Sequence, residues 1–154
     1  EELIDSVMLQ FKKRYPSQKV NIELPDDVVI IPMDALLIEQ VIVNILENAV
    51  QHAQGMTRLM LRVFTLGNTA IFEIKDNGCG INPKYLETLF TGYYTSESEI
   101  ADSQKKNAGI GLSVCATIIK AHGGNIKAEN MKTGGAVFRF ELDTEGVKYD
   151  TEQI

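Results

Sequence analysis

The strongest constraint on this chain is a long helical pattern from Ala35 to Ala53 that carries two stripes at once. Leu36, Leu37, Val41, Ile45, Leu46, Ala49 and Val50 recur at helical spacing and form a wide apolar face. Such a face must be buried against other elements. The polar side is as regular: Gln40, Asn44 and Asn48 stand four residues apart, and Gln51 and His52 extend the stripe by a turn. Asn is a poor helix former, and an exposed face more often carries Glu, Lys or Gln. Amide oxygens on one face suit a hard cation while other groups donate to phosphate. A plainly solvated face accounts for the stripe equally well when it is taken alone.

The rest of the chain supplies the partners for that helix. A length of 154 residues with 44% hydrophobic content fits one globular domain. The segment 1–15 reads as an amphipathic helix with Leu3, Ile4, Val7, Met8 and Phe11 on one face, ending before Pro16. Lys19 to Leu24 alternates as a half-buried strand, and Val28 to Ile31 reads as a second, short one before Pro32 and a helix cap at Asp34. Strands are expected at 57–65 and 69–75, joined through Leu66, Gly67 and Asn68, with a short helix at 83–90 opened by Pro83. Polar, Ser-rich residues 91–108 lack periodicity and read as a lid. A helix from Gly109 to about His122 presents Leu112, Cys115, Ile118 and Ile119, and strands at 125–129 and 136–142 precede a polar tail at 143–154. These elements make an α+β chain.

Charge and cysteines exclude several functions. A net charge of −6 argues against nucleic acid and requires any anionic ligand to be captured by local features. Cys79 and Cys115 form no CxxC pair, which argues against structural zinc or a disulfide framework and for a reduced, cytoplasmic setting. No apolar run approaches the ~20 residues that span a bilayer. The acidic start is unlike a signal peptide, and its lack of Met suggests a fragment of a longer protein.

Three further features could carry chemistry. Asp76-x-Gly78-x-Gly80 ends a strand. A carboxylate there can accept a hydrogen bond from an exocyclic amine such as adenine N6 while the base lies over bare backbone, although an ordinary turn has the same composition. Gly109, Ile110 and Gly111 open the last helix, whose free N–H groups would suit phosphate. Thr133, Gly134 and Gly135 form either a fourth element of the site or a plain turn.

The order of these features resembles the catalytic ATP-binding domain of sensor histidine kinases, within the GHKL or Bergerat group that includes gyrase B, Hsp90 and MutL ATPases. The likeness runs from about Lys19 to Leu142. Asn44 to Ala49 resembles the N box, Asp76-x-Gly78-x-Gly80 the first glycine box, Leu89 and Phe90 with Tyr93 the F box, and Gly109 to Leu112 the second glycine box. Ile31 to Gln40 is similar to the matching stretch of the potassium- and turgor-responsive Kdp-type kinases.

The resemblance implies a two-layer α/β sandwich, a mixed sheet with helices 35–53, 83–90 and 110–122 on one face, and a set of roles. Asp76 would hold adenine N6, Asn48 would ligate Mg²⁺ with Asn44 in support, and backbone at Gly109 and Gly111 would approach the phosphates. Gly78, Gly80, Ile81, His52, Phe90, Ile110 and Leu112 would surround the nucleotide. Where the group's hydrolases carry a Glu this chain has Asn44, which cannot act as a base toward water, so futile hydrolysis should be slow. The γ-phosphate would pass to a His on a separate dimerisation and phosphoacceptor domain, and the full-length kinase, anchored in a membrane, would serve a cognate response regulator. Neither His52 nor His122 lies in the acceptor context, and His122 reads as a helix C-terminal residue favoured by the dipole.

Three positions depart from the family pattern: Gln51 stands for a usual Lys, Asn107 for a Gly, and Ala136 for a common Thr. Lys105 or Lys106 would then supply cationic charge. A nucleotide-binding interaction module with little catalysis, or an anti-sigma-type serine kinase, are the competing readings.

Overall fold

The computed structural model describes residues 1–91 and 103–145, and for 103–110 the course of the backbone alone. The first helix, α1, spans Glu2–Arg14, with Glu2 and Asp5 in its first turn and Lys12, Lys13 and Arg14 in its last, a distribution that complements the helix dipole at both ends. Ile4, Val7 and Phe11 bury one stripe. β1 (Asn21–Glu23) follows and pairs in parallel with β2 (Leu59–Leu66).

The short strand expected at Val28 to Ile31 does not form. Val28 and Ile30 are 91% and 81% exposed, outside any ladder. Four β-branched residues have the propensity for a strand, but that propensity reflects packing between neighbours. Here Pro25 and Pro32 bracket the segment, and it joins none of the described strand ladders.

α2 (Ala35–His52) starts where Asp34 caps it, its carboxylate accepting the Leu37 N–H at 3.2 Å. Its buried residues are Ile38, Val41, Ile42, Val43, Ile45, Leu46 and Ala49. The phase differs from the expected one, since Leu36 is 77% exposed and Leu37 lies at the surface. Burial of residues 38, 42, 45 and 49 turns position 36 outward.

β2 and β3 (Thr69–Asp76) form a hairpin through Gly67 and Asn68, with Gly67 at φ +59. The last helix, α3, spans Ser103–Ala121, and β4 (Asn125–Asn130) pairs antiparallel with β5 (Ala136–Asp143). The five-stranded order is β1-β2-β3-β5-β4, a mixed sheet. Its rows Leu61–Ile74–Phe138 and Val63–Phe72–Phe140 face the helices and merge with their apolar stripes into one core. The Phe72 and Phe140 rings stack at 4.6 Å.

The expected two-layer sandwich is therefore present, but two of its boundaries shift. The stretch at 83–90 is a 3₁₀ turn at Pro83–Tyr85 followed by turns, so the third helix of the layer is α1. Too few residues separate Pro83 from Phe90 to repay helix nucleation. α3 begins at Ser103 rather than at Gly109. Glycine costs only ~1 kcal/mol against alanine in a helix interior, and residues 103–108 include no proline to stop it. The outer, helix-free face carries Glu73, 3% exposed, which accepts from Arg139 Nε and Nη2 at 2.8 and 2.6 Å and lies within 3.6 Å of Arg62 and 3.5 Å of Lys75.

Candidate functional site

β-strand alternation places Asp76 on the helix-covered face, in the same parity as Phe72 and Ile74. A carboxylate is thus carried to a core position, 5% exposed. No ion pair reaches it among the described residues. Its Oδ1 accepts the Gly78 N–H at 2.9 Å, and the Ala136 backbone contributes a second hydrogen bond. Burial nonetheless raises its pKa above the usual 3.8, and these backbone donors only partly oppose the shift. Such a group is costly to keep as structure alone, and it faces a cleft.

That cleft is lined by Asn48, Ala49, His52 and Ala53 of α2 and its end, Asp76 at the end of β3, Gly80 and Ile81 after it, and Ala136 and Phe138 of β5. Close backbone approach shapes it. A Cβ on Gly78 would lie 2.8 Å from the Ala53 Cβ, and one on Gly135, at φ +87, would run into the Asp76 carbonyl. Gly135 therefore packs its backbone directly against that of Asp76 and Asn77, beside the cleft. The free space is about 30 Å³, room for a water molecule rather than a purine.

Two asparagines that the sequence did not single out hold the glycine loop. Asn77 Oδ1 accepts the N–H groups of Thr57 and Arg58, both at 2.8 Å, and its Nδ2 donates to the Thr57 hydroxyl at 2.7 Å. Asn130, at the end of β4, accepts the Ile81 N–H at 2.7 Å and donates to the Ile81 carbonyl at 2.6 Å. Asn77 sits in a turn, where a local cap is the usual role of Asn, yet its partners lie 19 and 20 residues back along the chain. Nothing local to Asn130 signals a partner so distant in sequence.

The sequence-derived residues divide by place. Asn48, His52, Asp76, Gly80 and Ile81 meet at the cleft, and Gly78 packs against its wall. Phe90 contacts Phe138 edge-on at 6.2 Å, one residue removed from the cleft. Asn44 is a turn away, with its Nδ2 3.8 Å from Cys115 Sγ on α3, and Leu112 is buried in the core. Gln51 is exposed, donates to the Tyr15 hydroxyl at 3.2 Å and does not line the cleft.

Gly109, Ile110 and Gly111 lie inside α3, so the free N–H groups of that helix fall near Ser103 instead. The side chains of Lys105, Lys106, Asn107 and Ile110 and the lid residues 92–102, Tyr93 included, are outside the described residues. His122 is more than a dipole partner: its Nε2 accepts the Asp34 N–H at 3.0 Å and its Nδ1 faces the Ile118 carbonyl at 2.8 Å, the pattern of a neutral ring that ties α3 to the start of α2. Burial pushes the Cys115 thiol up to about 11, although its contact with the Asn44 amide lowers it, so it remains an SH group at neutral pH.

This sandwich, with its cleft between a long helix and the end of a central strand, has the architecture of histidine kinase catalytic domains. The catalytic domain of histidine kinase ThkA superposes with a TM-score of 0.76 at 24% identity, covering 93% of this chain and 91% of that one. A mycobacterial sensor histidine kinase, MprB, gives 0.69 at 20% identity over 96% and 95%. The family model for histidine kinase-, DNA gyrase B- and HSP90-like ATPases matches residues 33–146, and the chain belongs to that family. Among its relatives, the sensor protein KdpD of Clostridium acetobutylicum is 36% identical over 94% of this chain, and KdpD of Escherichia coli 34% over 92%. The adaptive-response sensory kinase SasA of Trichormus variabilis is 34% identical over 88%. The chain spans only 16% and 15% of the length of the two KdpD proteins and 34% of SasA.

Proposed function

We propose that the chain binds ATP with Mg²⁺ and presents the γ-phosphate to a histidine on a separate dimerisation and phosphoacceptor domain of a sensor kinase. The observation that carries this reading is Asp76, a carboxylate held on the core face without a cation and aimed at a cleft. An exocyclic amine is the partner that such an acceptor lacks; for a purine entering with its position 6 toward Asp76, adenine offers the N6 donor where guanine would present O6, an acceptor that the carboxylate repels. Asn48, at the cleft wall, and Asn44, one turn before it, offer amide oxygens of the kind a hard cation takes alongside phosphate and water. The cation would neutralise charge on the phosphates, which the net charge of −6 otherwise repels.

Two parts of the molecule must move for this function. The cleft has to open from about 30 Å³ to admit a purine. Backbone N–H groups at Gly109 and Gly111 reach phosphate only if α3 unwinds from Ser103 to those glycines, which then free the N–H groups of a new first turn. Lys105 and Lys106 would be released with it. In the transfer step the acceptor imidazole nitrogen attacks the γ-phosphorus in line; a P–N bond forms, the P–O bond to the β-phosphate breaks, and ADP leaves.

The acceptor is outside this chain. His122 has both ring nitrogens engaged, and His52 lines the nucleotide cleft itself. The full-length protein would pass phosphate on to a response regulator, as the structure of ThkA in complex with the response regulator TrrA suggests by its likeness over 93% of this chain. Among the described residues no helix is long and apolar enough to cross a membrane. We place the chain on the cytoplasmic side of a membrane-anchored kinase, with residues 19–142 as its nucleotide-binding unit.

Incubation with γ-labelled ATP tests the proposal. The chain alone stays unlabelled, and label appears on a separately supplied acceptor domain of a Kdp-type kinase only when the chain is present. A stable phosphohistidine on the chain itself contradicts the assignment of the acceptor. The competing interaction module is favoured by Gln51, whose bond to Tyr15 leaves no cation at a usual phosphate position. That reading requires nucleotide binding without transfer in the same assay.

A further inference from the structure

The side chain of Asn44 has two chemically opposite ends: Oδ1 accepts and can ligate a cation, whereas Nδ2 only donates. Its neighbours on α3 and α2 decide which end is free. Cys115 is fully buried, with Sγ 3.9 Å from the Val41 carbonyl and 3.8 Å from Asn44 Nδ2. A thiol has one proton. Donated to the Val41 carbonyl, it leaves only sulfur lone pairs facing Asn44, and these match the NH₂ end of the amide and repel Oδ1. A Cβ on Gly111 would lie 4.0 Å from the same Nδ2, an ordinary contact distance, so the amide nitrogen faces α3 there without crowding. Cys115 sits on the apolar stripe of α3, where Val would fill nearly the same space. What Val would not supply is the acceptor.

We propose that Cys115 is a positioning residue for Asn44: its sulfur fixes the amide nitrogen against α3 and keeps Oδ1 free to meet the divalent cation that accompanies a nucleoside triphosphate. This deepens the reading above and rests on it for the role of Asn44. The bond to sulfur is weak, but it decides between two orientations that an apolar neighbour would leave nearly equal. Loss of it also leaves a half-buried donor unsatisfied, and the two effects together correspond to about a fivefold change.

The test compares ATP affinity by calorimetry in Mg²⁺ and in EDTA, for the wild-type chain, Cys115→Val and Cys115→Ser. The ratio of the two affinities is the readout, because a residue that merely packs would change both alike. For Cys115→Val the chain stays folded, with a modestly lowered melting temperature, and its affinity in EDTA stays near wild type while the Mg²⁺ enhancement falls about fivefold. Cys115→Ser, whose hydroxyl both donates and accepts, recovers most of it. An undiminished enhancement in Cys115→Val overturns the proposal. If the wild-type chain shows no enhancement, the reading of Asn44 as a ligand fails, and this proposal with it. Should Cys115→Val not fold, the side-chain amide protons of Asn44 in wild type decide: slow exchange with solvent supports the bond to sulfur, and exchange as fast as that of exposed Asn68 overturns it.

Discussion

Asp76 carries conflicting demands that make its chemistry measurable. Burial raises its pKa above 3.8, so the folded chain binds that proton more tightly than the unfolded one. The sign follows: stability contributed by the protonated carboxyl is present at low pH and is lost as pH rises through the raised value. Adenine recognition has the opposite dependence, because only the ionised form is a pure acceptor. ATP affinity should therefore fall as pH is lowered through that same value, which a titration of affinity against pH would show. Asp76→Asn separates the two demands. It removes the buried charge, so its melting temperature should equal or exceed that of wild type at pH 7, while the loss of ~1.5–3 kcal/mol of charge-assisted hydrogen bonding weakens ATP binding roughly 10- to 150-fold. A destabilised variant with unaltered affinity would mean that Asp76 is only a turn residue. Asn130 is the other telling residue. Asn130→Ala removes both bonds to Ile81, at ~1 kcal/mol each, and should cost up to ~2 kcal/mol of stability in urea unfolding, with a severalfold fall in ATP affinity as the Ile81 segment loosens at the cleft.

At the scale of elements, α3 and the outer face of the sheet give contrasting expectations. The helix runs through Gly109 and Gly111, so in the proposed binding mode helix and phosphate would compete for the same backbone N–H groups. Gly109→Ala favours the helix by ~1 kcal/mol and should weaken ATP binding about fivefold while ADP, with one phosphate fewer to hold, loses less. Circular dichroism should show helix content falling when wild type binds ATP. Glu73 lies on the face of the sheet away from the cleft. Glu73→Gln removes the charge of a buried carboxylate from its pair with the partly exposed Arg139 guanidinium and should cost ~1–2 kcal/mol of stability with no change in ATP affinity, measured by urea unfolding and calorimetry. The elements themselves were legible in the sequence wherever period decided: β2, β3, β5 and α2 fall within about two residues of their expected limits. Val28 to Ile31 misled because propensity says nothing of whether an edge is available. The start of α3 misled because a glycine pair reads as a boundary, yet costs too little to impose one against a growing helix.

For the whole molecule, the sandwich acts as a platform that brings the end of α2 and the end of β3 to one cleft, far apart in sequence and adjacent in space. Which residues meet at the cleft was readable in part, because Asp76, Gly78 and Gly80 cluster locally and Asn48 and His52 stand one turn apart on α2. Its supports were not. Asn130, Gly135 and Cys115 act through partners remote along the chain, and only the register of β4 with β5 and the packing of α3 on α2 reveal them. The central claim is that this cleft selects adenine through Asp76 and holds its phosphates with a metal. Calorimetric titration of the chain with ATP and GTP, each with and without Mg²⁺, measures it most directly. The account predicts ATP binding that Mg²⁺ strengthens, GTP binding at least tenfold weaker, and loss of that preference in Asp76→Asn. Equal affinity for ATP and GTP, or a preference that survives in Asp76→Asn, would contradict it.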